Sequence, residues 1–150
     1  MNDITVREAA LTDALVETLI ALSRDWANEN SCHGYVANDR SDIEGMRIFL
    51  AEDGGRVVGY LFGKTYVSEK ASSIKPQGSV CFEVEELYVR PECRSRGIGR
   101  ALMAAAEEAV KGEVEYLTLS TATKNWRAIL HFYIDEVGMA FWNARLFKKI

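Results

Sequence analysis

The sequence predicts an α/β fold: a mixed, mostly antiparallel central sheet flanked by helices, in the order β-α-α-β-β-β-α-β-α-β. Three observations carry this. Helix-spaced and strand-like stretches are interleaved along the chain rather than segregated into blocks. Strand-like runs follow one another directly in the first half, which suits antiparallel neighbours, whereas one β-α-β crossover comes late. The chain has 150 residues, 48% hydrophobic and 27% charged, close to the globular average and to the roughly 100–200 residues of one domain. One domain over residues 1–150 is therefore expected.

Residues 4–7 alternate in polarity and read as an edge strand. Thr12 caps the helix that follows, with Asp13 in its first turn. Leu11, Leu15, Leu19, Leu22 and Trp26 recur at steps of three and four, one apolar stripe along that helix. Residues 28–39 are polar and read as a loop. Ser41 and Glu44 have capping-box spacing, which predicts a short helix over 42–48. The pattern turns to strand around Phe49, and Asp53-Gly54-Gly55 supplies a hairpin turn. Residues 56–67 are β-branched and aromatic, a long strand. Residues 68–79 have loop composition and are long for a hairpin connection. Residues 80–90 form a strand ended by Pro91. Residues 97–111 are helical, with Ile98, Ala101, Leu102, Ala105 and Ala109 on one face and Gly112 as the stop. A strand over 116–121, a helix over 125–136 closed by Gly138, and a last strand over 141–149 complete the order.

The balance of 18 Lys+Arg against 22 Asp+Glu gives a net charge of −4. That argues against nucleic acid as the main partner, because such affinity rests on neutralising phosphates. No stretch approaches the ~20 apolar residues of a membrane span, and no basic leader opens the chain, so a membrane is not an expected partner. Cys32, Cys81 and Cys93 are an odd number in a chain long enough to fold unaided, which points to a reducing cytoplasm. His33 and His131 are the histidines. A metal site would need nearly every Cys and His, so no metal is expected. A cysteine nucleophile at Cys32 has His33 beside it in sequence, but no evident third member of a triad.

The informative segment runs from Glu85 to Arg100. A strand ends at Pro91, a basic turn follows, and Gly97 and Gly99 open a helix. A helix N-terminus presents unpaired N–H groups and about half a positive charge, which suits a phosphate. Glycines at 97 and 99 remove side chains that would block its approach, and Arg94, Arg96 and Arg100 add positive charge. The dinucleotide fingerprint fails, because Leu102 stands where its third glycine belongs, and GxxxxGK[ST] is absent.

Arg94-Ser95-Arg96-Gly97-Ile98-Gly99 resembles the [RQ]xxGx[GA] signature of the GNAT superfamily of acetyl-CoA-dependent N-acetyltransferases. Leu87, Val89 and Pro91 resemble the strand leading into it. Asn125, Ala128, Ile129, Phe132, Tyr133, Gly138 and Met139 resemble the family's asparagine-bearing helix. The element order agrees with that fold over nearly the whole chain. The resemblance implies acetyl-CoA as co-substrate, with its pyrophosphate on the amides from Arg94 through Ser95, Arg96, Gly97, Ile98 and Gly99 to Arg100. It implies that the pantetheine arm runs beside Leu87, Tyr88 and Val89 as a pseudo-strand, touching Asn125 on the far wall. It also implies transfer to a primary amine by direct attack in a ternary complex. A non-catalytic acyl-CoA-binding domain of the same fold is the alternative, and an adaptor using the aromatic C-terminus is a third reading.

Direct transfer poses a proton problem, since an alkylamine with a pKa near 10.4 is only about 0.1% neutral near pH 7.4. By the period of two, Glu83 and Glu85 share a strand face with Leu87 and Val89. The family's base tends to lie four or six residues before the strand-final valine, and those positions are Glu85 and Glu83. Glu86 falls on the other face, where a structural ion pair is expected. The family's proton donor to the departing thiolate is a tyrosine seven residues after the asparagine. Phe132 stands there and Tyr133 at eight, so a shifted helix start or a π-bulge is needed to restore the aim of Tyr133. Carboxylates at the site favour a small cationic amine over a peptide as acceptor. A homodimer is left open.

Overall fold

The computed structural model describes residues 3–71 and 74–150. Positions 72 and 73 of the expected 68–79 loop lie outside the described residues. Five strands form one sheet in the order β1 (Ile4–Ala9), β2 (Arg47–Asp53), β3 (Arg56–Val67), β4 (Val80–Val89) and β5 (Tyr116–Thr118). The first four pair antiparallel and β5 joins β4 in parallel, as the late crossover requires. Helices cover both faces, the α/β arrangement expected from the interleaved pattern.

Helix α1 (Asp13–Glu29) starts where Thr12 accepts the Leu15 N–H at 3.1 Å, and ends at Asn30 in the left-handed region. Its buried Leu19 and Leu22 pack with Ile48, Leu50, Tyr60, Phe62 and Tyr88 on one sheet face. Helix α3 (Ile98–Val110) lies on the other, where Leu102, Met103 and Ala106 meet Phe49, Leu61, Phe82 and Val84. Apolar burial on the two faces is the main stabilising term.

The second helix departs from expectation. Helix α2 is Arg40–Ile43, and its reciprocal cap is Asp39 with Asp42 rather than Ser41 with Glu44. The Asp39 carboxylate accepts the Asp42 N–H at 3.2 Å while Asp42 accepts the Asp39 N–H at 2.8 Å. An aspartate serves at both cap positions, and Gly45 at φ 81° then turns the chain into β2.

Two bulges break the period of two. One lies between the partners of Ala51 and Glu52. The other sets Phe62 opposite Glu86 and Gly63 opposite Val84, so Glu85 has no partner across the ladder. The last helix is also irregular: α4 (Trp126–Leu130) continues as a π-helical turn over His131–Glu136. Val137 N–H donates to Phe132 C=O five residues back at 2.9 Å.

The expected strand over 141–149 does not form; among the described residues, 139–150 carry no helix or strand. A strand needs a neighbouring edge, and β5 offers three residues before the chain turns away. Leu146 and Phe147 stay exposed.

Candidate active site

The parallel pairing of β4 with β5 stops at Glu83 and Thr118. Beyond it the chain bends toward the loop after α1. There Cys32 bridges Thr123, the His33 N–H donates to Ala122 C=O at 2.9 Å, and the Lys124 N–H donates to Ser31 C=O at 2.8 Å. Those contacts hold residues 119–123 off β4, so Val84 and residues 86–89 pair with β3 but not with β5. The gap opens as a cleft of about 970 Å³. One side of it is the main-chain edge of β4, with donors and acceptors at strand spacing and no strand to meet them.

At one end of the cleft lies the turn into α3. Ser95 (φ 62°) and Gly97 (φ 80°) are left-handed, a backbone that gathers successive N–H groups into one concavity. The Arg94 N–H, expected in the cradle, donates instead to Pro91 C=O at 3.3 Å, and the first helical bond runs from Ala101 N–H to Gly97 C=O at 3.0 Å, which leaves the amides of residues 95–100 unspent among the described residues. A Cβ at Gly97 would meet nothing within 4 Å but would need the strained left-handed backbone; one at Gly99 would sit 3.3 Å from the Phe132 ring. The cradle is thus bare at its two glycines, and its unspent N–H groups suit an anion.

The sequence-predicted residues of this turn divide by task. Arg94, Ser95, Gly97, Ile98, Gly99 and Arg100 line the cleft. Ile98 is buried in the core, so its main chain is what it offers. Arg96 is exposed and sits in the turn without lining the cleft. Among the described residues neither Arg96 nor Arg100 forms an ion pair. Arg94 is committed elsewhere. Its guanidinium holds the Glu29 carboxylate at 2.8 and 3.0 Å, and its Nε donates to Val89 C=O at 2.9 Å. That clamp ties the C-terminal end of α1 to the anion turn and uses one acceptor of the β4 edge. Tyr88 joins it: its hydroxyl donates to Glu29 at 2.9 Å, and burial, with that bond second, pushes the phenol well above its usual range. The Tyr88 ring is on the α1 face, stacked at 5.4 Å on Trp26.

At the far wall, Asn125, Phe132 and Tyr133 all line the cleft. Asn125 precedes α4, with its N–H on Thr123 Oγ1 at 3.2 Å. Phe132 reaches across to Gly99, and Tyr133 packs edge-on against it at 5.0 Å. Phe132 and Tyr133 both lie on the π-helical turn, and both line the cleft although they are adjacent in sequence. Burial, aided by the neighbouring Cys32 sulfur, pushes the Tyr133 phenol up to about 12, so it is a protonated donor at neutral pH.

The carboxylates of β4 are arranged differently from the sequence pattern. The bulge at Glu85 reverses the alternation, so Leu87 and Val89 pack with Val84 and Phe82 over α3 while Glu86 and Tyr88 face α1. Glu83 does not line the cleft: its carboxylate accepts the Thr118 hydroxyl, which is linked at 3.0 Å to Tyr66. Glu85 is exposed at the rim. Glu86 forms no ion pair among the described residues; it accepts hydrogen bonds from Tyr35, Asn38 and Tyr60, and burial raises its carboxyl. Tyr35 and Asn38 sit in a polar loop that carries no sequence pattern, and a double glutamate in an apolar strand was the available sign of a bulge.

Cys81 and Cys93 are buried, and Cys32 is partly buried at the cleft. Among the described residues no group of three or more His, Cys, Asp or Glu is placed to hold a metal ion, and no helix is long and apolar enough to cross a membrane.

No functionally curated protein matches this chain in sequence. Solved structures share its fold. An aminoglycoside acetyltransferase from an uncultured soil metagenomic sample is 18% identical, with 99% of each chain covered and a TM-score of 0.71. An acetyltransferase of Trypanosoma brucei is 16% identical, covering 99% of this chain and 100% of its own, with a TM-score of 0.67. A transcriptional regulator from Bacillus halodurans C-125 is 21% identical at the same coverages, with a TM-score of 0.69. The family model described as Acetyltransferase (GNAT) family matches residues 14–139. With its splayed β4 edge leading to a glycine-lined turn into α3, the chain belongs to the GNAT acetyltransferase family.

Proposed function

We propose that the protein transfers the acetyl group of acetyl-CoA to a primary amine of a small cationic molecule, by direct attack within a ternary complex. The observation that carries this is one continuous cleft joining the glycine turn, the open β4 edge with its carboxylates, and a far wall holding a phenol. Amides of residues 95–100 and the Arg100 side chain bind the pyrophosphate, and main-chain groups of Leu87 and Val89 hold the pantetheine arm. Asn125 closes the far side. The bound thioester supplies an acetyl group already activated for transfer to nitrogen. Tyr133, whose phenol is protonated at neutral pH, gives its proton to the departing sulfur. The similarity in fold to aminoglycoside acetyltransferases supports a small-molecule acceptor.

Release of CoA from acetyl-CoA in the presence of a panel of amines, with product mass spectrometry, tests the reading. Acetyl-CoA binding without CoA release for any amine would instead favour a non-catalytic acyl-CoA-binding protein.

A further inference from the structure

Glu86 stands where two cavities meet. One is the cleft just described; the other, of about 350 Å³, opens toward α2 and is lined by Asn38, Ser41, Asp42, Met46, Phe62 and Lys64 together with Glu85 and Glu86. Three donors converge on Glu86 Oε1: the Tyr60 hydroxyl at 2.8 Å, the Asn38 amide at 2.8 Å and the Tyr35 hydroxyl at 3.1 Å. Among the described residues no donor reaches Oε2, and no buried side-chain polar atom lacks a partner, so Oε2 is open to solvent in the cavities.

The choice of anchors matters. A buried carboxylate is ordinarily compensated by a cation, which would neutralise it. Here the anchors are two phenols and an amide. Burial and the adjacent carboxylate raise both phenols, so they remain donors and cannot take the charge. Tyr60 is fully buried, and Tyr35 is stacked at 4.3 Å on Trp26, so both are fixed in place. The result is a carboxylate with one oxygen locked and the other presenting a negative charge to whatever enters. Facing it are Asp42 from α2, which adds like charge, and Glu85 and Lys64 on the wall of the smaller cavity. Three carboxylates against one ammonium make that cavity acidic.

We infer that Glu86, rather than Glu83 or Glu85, receives the acceptor's ammonium group through the α2-side cavity and removes its proton, and that the acceptor is a small amine carrying more than one positive charge. This rests on the acetyl-transfer reading. In the step, one N–H proton passes to Glu86 Oε2, and the freed lone pair forms the N–C bond to the acetyl carbonyl carbon. The C–S bond breaks, its electron pair stays on sulfur, and Tyr133 protonates that sulfur. The second proton lost by nitrogen returns through solvent to Tyr133, and Glu86 releases its own to solvent.

The test uses the full chain, acetyl-CoA, and sisomicin, spermidine and tyramine as probe amines. Glu86→Gln keeps an oxygen for the three donors and removes the base. Its acetyl-CoA affinity by calorimetry should equal wild type, while kcat/KM for the amine falls about 10²–10⁴-fold near pH 7, a loss that shrinks as pH approaches the amine's pKa. Glu83→Gln and Glu85→Gln should each lose at least about tenfold less. Tyr60→Phe removes a donor that favours the charged form, so the acid limb of its pH profile should move to higher pH. A readout independent of turnover is the melting temperature. The folded-state pKa of Glu86 is raised, so its ionisation costs stability as pH rises through that value. Glu86→Gln should therefore melt at or above wild type near pH 8, the gap closing toward pH 4.

Glu86→Gln activity within about threefold of wild type near pH 7 would overturn the assignment, as would a loss constant with pH and accompanied by a lower melting temperature. Acetylation of tyramine in preference to sisomicin and spermidine, or of none of the three, would overturn the acceptor class. Absence of acetyl-CoA binding by wild type would instead bring down the acetyl-transfer reading itself.

Discussion

Replacing Gly99 by aspartate places a carboxylate in the concavity proposed for the pyrophosphate. The structure says the fold tolerates it. Gly99 lies in the first turn of α3, where an acidic side chain gains about 0.3–1 kcal/mol from the helix dipole. The new Cβ would approach the Phe132 ring at 3.3 Å, a contact relieved by a few tenths of an ångström of ring movement. The ligand does not tolerate it. A unit charge about 5 Å from one phosphate charge, at an effective dielectric near 20, costs about 3 kcal/mol, or about two hundredfold in affinity. Acetyl-CoA at a hundred times its dissociation constant stabilises the wild type by about 2.7 kcal/mol, which is about 5–10 °C of melting temperature for a chain of this size. For Gly99→Asp at the same concentration the gain falls to about 0.2 kcal/mol, a shift of about 1 °C or less. Calorimetry with acetyl-CoA gives the affinity directly, and a melting curve without ligand shows that the variant folds. A folded Gly99→Asp that binds acetyl-CoA as wild type does would refute the cradle.

Tyr133→Phe should lower kcat roughly tenfold or more with acetyl-CoA affinity and melting temperature little changed; full activity in steady-state kinetics would leave the proton to water. Gly63→Ala should be severely destabilising, because its Cβ would stand 2.2 Å from the Glu83 carbonyl oxygen and 2.9 Å from the Phe82 ring. Denaturant unfolding should show a loss of about 3 kcal/mol or more, or no soluble protein. Arg94→Ala and Glu29→Gln, combined in a double-mutant cycle, should couple by about 1 kcal/mol or less in stability, since Arg94 is 43% exposed. Both should weaken acetyl-CoA binding by loosening the turn, and equal affinity in all three variants would show that the clamp does not shape the site.

Local chemistry along the chain was enough for much of the architecture. Thr12 satisfies an orphan N–H whatever surrounds it, Gly97, Gly112 and Gly138 sit at positive φ that other residues resist, and the stripe through Leu19 and Leu22 needs a face to bury. The same holds for the anion turn, whose amides and glycines belong to one short segment. What tertiary structure decided lies where distant segments compete for one group. Glu83 was drawn off by Thr118, Arg94 by Glu29, and Glu86 acquired Tyr35, Asn38 and Tyr60 from a loop and a strand remote in sequence. The bulge at Glu85 settled which carboxylates face α1, because one unpaired residue reverses the side of every residue before it. The strand expected over 141–149 had the right composition but no edge to join, since β5 leaves the sheet after Thr118. Propensity is a property of a segment, whereas a ladder needs a partner, and that partner is set by the rest of the fold.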